Sequence, residues 1–112
     1  MWLFTTSGFV SVVACDTENV MIRSRDRKSL KHFAQKTKDV ILHTPTADYP
    51  YRIIVKRERF SSLLFDEGNA IDYANFKSEV SIHRGEDFSH ALMNVWSTMH
   101  EVEDSDARMR LQ

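Results

Sequence analysis

The chain has 112 residues, 42% of them hydrophobic and 28% charged, with a formal net charge of −1. That length holds one ordinary domain, and that mix belongs to a globular rather than a disordered chain. No apolar run approaches the roughly 18 residues that cross a bilayer, the opening Met1-Trp2-Leu3-Phe4-Thr5 lacks the pattern of a signal peptide, and the lone Cys15 excludes an internal disulfide and a Cys-rich zinc module. The expectation is a cytoplasmic protein with no membrane partner. Trp2 to Cys15 is rich in aromatic and β-branched residues and reads as strand, interrupted at Ser7-Gly8 by either a bend or a tight hairpin. Asp16 to Asn19 reads as a turn, and Val20 to Arg25 as the antiparallel return strand.

Asp26 is placed to cap a first helix, in which Leu30, Phe33, Ala34 and Thr37 follow the spacing of one buried face. Val40 to His43 is a short third strand. Residues 44–50, with Pro45 and Pro50, form a loop, and Tyr51 to Val55 is the fourth strand. A second helix runs from about Lys56 to Phe65 with Phe60, Leu63 and Leu64 inward, and Gly68-Asn69 stops it. Asp72 caps a third helix from Tyr73 to about Ile82. After the break at Arg84-Gly85, a last helix from Glu86 to about Val102 turns Phe88, Leu92, Val95, Trp96, Met99 and Val102 inward. The order β-β-α-β-β-α-α-α predicts an α+β fold: a four-stranded, mostly antiparallel sheet with helices on one face, a ferredoxin-like variant being the near competitor. Residues 1–103 make a single domain and 104–112 a polar tail.

Charge is unevenly spread. Val20 to Phe60 carries eleven Lys/Arg against four acids, whereas Ser61 onward carries four against ten. Arg23, Arg25 and Arg27 alternate, so a strand would point them to one face, where phosphates can be neutralised beside aromatic rings. The sequence pI near 6.5 lies far below that of dedicated nucleic-acid binders. Pairing between the two halves, within the fold or in a homo-oligomer, accounts for the same asymmetry.

The opening "MWLFTTSGFVSVV", the central "HTPTADYPYR", and then "DYANFKSEV" and "HALMNVWSTMH" resemble a family of small uncharacterised bacterial proteins. The resemblance covers most of residues 1–102 and implies no activity or cofactor. It singles out Asp48 to Arg52 and Asp72 to Lys77 as recurring elements.

Those two stretches supply the candidate site. In the first, His43 offers a general base that Asp48 orients, Arg52 offers an anion grip, and Tyr49 and Tyr51 offer stacking surfaces. A turn-capping Asp48 with Tyr51 and Arg52 alternating between core and surface explains the same residues. In the second, Asp72, Tyr73, Asn75 and Lys77 are either ligand groups or a cap and ordinary polar positions. His83, Asp87 and His90 lie at i, i+4, i+7, but Gly85 breaks the face they would share, so no metal is expected there. Three separated glycines exclude a dinucleotide or P-loop pattern, so no cofactor is expected. If the two Asp-Tyr pairs converge, with His43 or His90, they line one concavity for a small polar ligand. The leading reading is a ligand-binding or protein-interaction module. A nucleic-acid-associated protein using residues 23–59, and a small hydrolase or nuclease, follow it.

Overall fold

A computed structural model describes residues 1–104, so all but the first residue of the expected polar tail lies outside the described residues. The chain forms two compact units, Met1–Ala74 and a second beginning at Asn75. The first is α+β, with five strands rather than the four expected: β1 (Trp2–Thr5), β2 (Gly8–Ala14), β3 (Asn19–Ser24), β4 (Leu42–His43) and β5 (Tyr51–Lys56). The extra strand arises because the opening stretch is a tight hairpin. Thr5 pairs with Gly8 across a two-residue turn, and Gly8 adopts φ 146°, a conformation open to glycine. The strand order is β1-β2-β3-β5-β4 and every neighbouring pair is antiparallel. Strands β3 and β4, the two that flank helix Arg27–Thr37 in the chain, both run antiparallel to β5 and lie on either side of it, so they form a split βαβ unit of the kind the ferredoxin-like alternative contains.

Strand pleating sends alternate residues to opposite faces. Val10, Val12, Val20, Ile22, Ile53 and Val55 share one face and are buried. Helices α1 (Arg27–Thr37) and α2 (Arg57–Asn69) cover it with Leu30, Phe33, Ala34, Phe60 and Leu63, forming one continuous core. His32 and Lys36 of α1 meet Glu67 of α2, His32 through a hydrogen bond and Lys36 at 3.8 Å. Much of the basic segment has work inside this unit. Arg57 donates to the carbonyls of Thr17 and Asp16 at 2.9 and 3.0 Å, and Arg59 donates to that of Lys36 at 2.8 Å.

Several boundaries move from expectation. Asp26 occupies the cap position of α1, but its side chain makes no capping hydrogen bond. Helix α1 ends at Lys38, which turns left-handed at φ 62°, and the chain reaches the sheet only at Leu42. The expected strand from Val40 shrinks to two residues, and Val40 is exposed. Helix α2 runs through Gly68 and Asn69, where the amide of Ala70 closes on the carbonyl of Asp66.

The second unit contains α3 (Phe76–Arg84), α4 (Glu86–Met99) and a 3-10 turn, His100–Val102. Asn75, not Asp72, caps α3: its side chain accepts from the Ser78 amide at 3.0 Å, so the helix starts three residues later than expected. Gly85, at φ 86°, separates α3 from α4. The expected inward stripe of α4 holds only for its first half. Phe88 and Leu92 are half-buried, while Trp96, Met99 and Val102 are 61%, 56% and 71% exposed. Length explains this: nine residues of α3 run beside the start of α4, whose 14 residues continue beyond them.

Candidate functional site on the sheet face away from α1 and α2

The face turned away from α1 and α2 carries the most concentrated chemistry of the first unit. Register places one residue from each strand in a row across it: Trp2 opposite Ser11, Ser11 opposite Arg23, Arg23 opposite Arg52, and Arg52 opposite Leu42. Trp2 and Leu42 at the two ends are 67% and 44% exposed. One row over, Phe4 pairs with Phe9, their rings stacked at 4.7 Å, and Trp2 meets Phe9 edge-on at 5.6 Å. Val13, Met21 and Ile54 form an apolar row on the other side, and Lys56 follows on the same face.

The loop of residues 44–50 positions Tyr49 over this surface. The loop is pinned by the Thr44 amide on the Pro50 carbonyl at 2.8 Å and by the Ala47 amide on the Thr44 carbonyl at 3.1 Å. The guanidiniums of Arg23 and Arg25 lie 4.5 and 4.7 Å from the Tyr49 ring centre, and Phe9 is 6.4 Å from it. Both guanidiniums are thus within cation–π range of the ring. Asp48 pairs with Arg25 at 2.7 Å, which holds that guanidinium more firmly protonated than usual.

Arg23 and Arg52 are different. They stand directly opposite one another on neighbouring strands, an arrangement of like charges that destabilises a sheet. Neither meets a carboxylate among the described residues. Neutral hydroxyls hold both: Arg23 donates to Ser11 Oγ at 3.3–3.4 Å and Arg52 to Thr44 Oγ1 at 2.6 Å. Both guanidiniums are therefore oriented and half-buried, with no carboxylate partner among the described residues.

The ten sequence candidates separate into several places. Asp48, Tyr49 and Arg52 belong to this face or its bordering loop. Tyr51 points to the helix side, with the Arg27 guanidinium 5.5 Å from its ring and His43 stacked on it at 4.5 Å. His43 is thus engaged with Tyr51 while Asp48 is engaged with Arg25, and the two do not form the expected base–orienter pair. Tyr73 lines a cavity of about 230 Å³ with Phe4, Thr5, Leu64 and Ile71, and neither Asp48 nor Tyr49 reaches that cavity. Asp72 is exposed in an irregular stretch. Asn75 caps α3, and Lys77 and His90 border a shallow depression with Ser81, Asp87 and Met93 in the second unit. Trp2, Phe4, Phe9 and Ser11 were not anticipated as site residues. Their signal was present: Trp2 and Phe4 alternate, as do Arg23 and Arg25, so each pair had to share a face.

Among the described residues no three His, Cys, Asp or Glu side chains group as a metal site, and no helix is long and apolar enough to cross a membrane. Compared with known proteins, the chain matches no family model, no curated protein and no solved structure.

Proposed function

We propose that this protein is a small binding module that takes an anionic group at Arg23 and Arg52 on the sheet face turned away from α1 and α2. The observation that carries the reading is the direct opposition of these two arginines with no carboxylate at either among the described residues. Like charges opposite one another weaken a sheet, and an anion bound beside these guanidiniums relieves the repulsion and accepts charge-assisted hydrogen bonds. The hydrolase reading finds no support, because His43 and Asp48 are turned to different partners. Titration with inorganic pyrophosphate, followed through the arginine Nε–Hε NMR signals, tests the proposal. Saturable shifts at Arg23 and Arg52 that vanish in Arg52→Gln are expected. Shifts no larger than sodium chloride produces at equal ionic strength would overturn it.

A protein-interaction role rests on a separate observation, the exposed stripe of Trp96, Met99 and Val102 on the second unit. Such contiguous apolar residues suit self-association. Sedimentation of the protein beside Trp96→Ala checks it: a dimer lost on substitution supports the reading, and a monomer in both removes it.

A further inference from the structure

We infer that the anion held on the sheet face is the phosphate backbone of a single-stranded nucleic acid, whose bases stack on the aromatic edge formed by Trp2. This inference rests on the anion-binding reading of Arg23 and Arg52. Three features of the face select this ligand class over a free phosphate or an acidic peptide.

The first is an exposed aromatic residue beside the cations. Trp2 and Arg23 share a row and stand two strands apart, about 10 Å at an inter-strand spacing near 4.8 Å. Trp2 is held edge-on against Phe9, so its orientation is set while most of its surface stays exposed. An unpaired base has a planar surface for such a ring, whereas an acidic peptide side chain has none.

The second feature is that the cations follow a path. Arg23, Arg52 and Lys56 lie on this face along β3 and β5 and Arg25 just past the end of β3; Asp48 pairs with Arg25, and Glu18 and Glu58 border a depression with Lys56. A single phosphate fills one position on such a path, while a strand of linked phosphates runs along it. The third is the shape of the surface. A pleated sheet carrying flat, laterally accessible rings suits splayed bases. Side chains that read a duplex instead come from an element inserted into a groove. The remaining apolar row of Val13, Met21 and Ile54 offers further surface for sugars and bases.

The test uses the whole chain in a Trp96→Phe background, so that Trp2 is the one tryptophan observed. A short oligothymidylate should quench Trp2 fluorescence saturably. For four phosphate contacts the affinity should fall with salt at a log–log slope of about −3, becoming shallower by about 0.7 for each cation removed. Trp2→Ala, read by fluorescence anisotropy of a labelled oligonucleotide, should weaken binding by roughly 5- to 150-fold, the range of one lost stacking contact. Lys56→Ala, at an exposed position, reports the salt slope without disturbing the core. Lys28→Ala with Lys31→Ala, on exposed positions of α1, should leave affinity unchanged. If pyrophosphate or a mononucleotide binds at Arg23 and Arg52 but the oligonucleotide binds no more tightly, the nucleic-acid inference falls and the anion site stands. Failure of all three ligands removes both. Duplex binding equal to or tighter than single-strand binding also overturns the inference.

Discussion

Replacing Arg52 by glutamate converts a cross-strand repulsion into a cross-strand attraction, and its signature is the salt dependence of stability. Arg23 and Arg52 are directly opposed, and the side chains of such pairs begin about 5 Å apart. The guanidiniums lean apart, Arg23 toward Ser11 on β2 and Arg52 toward Thr44 beside β4, so the charges stand farther apart than the side-chain roots. At about 10 Å two unit charges repel by about 0.4 kcal/mol at the bulk-water limit, more where water is partly excluded. Raising sodium chloride from ~0.05 M to ~1 M shortens the screening length to about 3 Å and removes most of that term. The wild type should therefore gain a few tenths of a kcal/mol across this range. Arg52→Glu should lose a similar amount, while Arg52→Gln should be nearly flat. The absolute stability of Arg52→Glu is a poorer readout, because the substitution also breaks the hydrogen bond to Thr44. Urea unfolding followed by far-ultraviolet circular dichroism measures all three proteins at each salt concentration. Equal salt slopes in the wild type and Arg52→Glu would show that the two charges do not interact across the strands, and the repulsion invoked for the proposed anion site would go with them.

Core and surface aromatic residues should differ sharply under the same assay: Phe33→Ala, at a fully buried position, should cost about 3–5 kcal/mol. Trp96→Ala, at 61% exposure, should cost under about 1 kcal/mol, and a larger loss would place α4 in a core. The two helix-associated glycines should respond with opposite signs. A Cβ at Gly68 in α2 meets nothing within 4 Å, so Gly68→Ala should raise stability by about 0.5–1 kcal/mol; Gly85→Ala should lower it despite equally open space, because φ is +86° there. Asp16 should titrate below the usual carboxylate range, held there by the Asn19 side chain and by the amides of Glu18 and Asn19. Its folded value being depressed, the support it gives the β2–β3 turn is present above the ordinary carboxylate pKa and lost as pH falls through the lowered one. Carboxyl chemical shifts against pH measure this, and an ordinary midpoint at Asp16 would refute it.

Periodicity and turn chemistry made much of the first unit legible from sequence. Leu30, Phe33 and Ala34 in α1, and Phe60 and Leu63 in α2, had to face a core wherever it lay, because helical spacing puts them on one side. Alternation likewise paired Arg23 with Arg25, and the two prolines kept residues 44–50 in a loop. Register was not legible. Whether Arg52 faces Arg23 or a neighbour one residue away depends on how β3 and β5 align, and a slip of one residue would turn every side chain to the other face. Only the buried set of Val20, Ile22, Ile53 and Val55, closing against α1 and α2, selects the alignment, and it carries the arginine pair onto the opposite face. The stripe on α4 shows the same division. Its spacing determined that Leu92, Val95, Trp96 and Met99 would lie on one side of a helix, but burial needs a partner surface of matching length. The nine residues of α3 leave the end of α4 uncovered, a fact set by where Asn75 caps one helix and Gly85 begins the next.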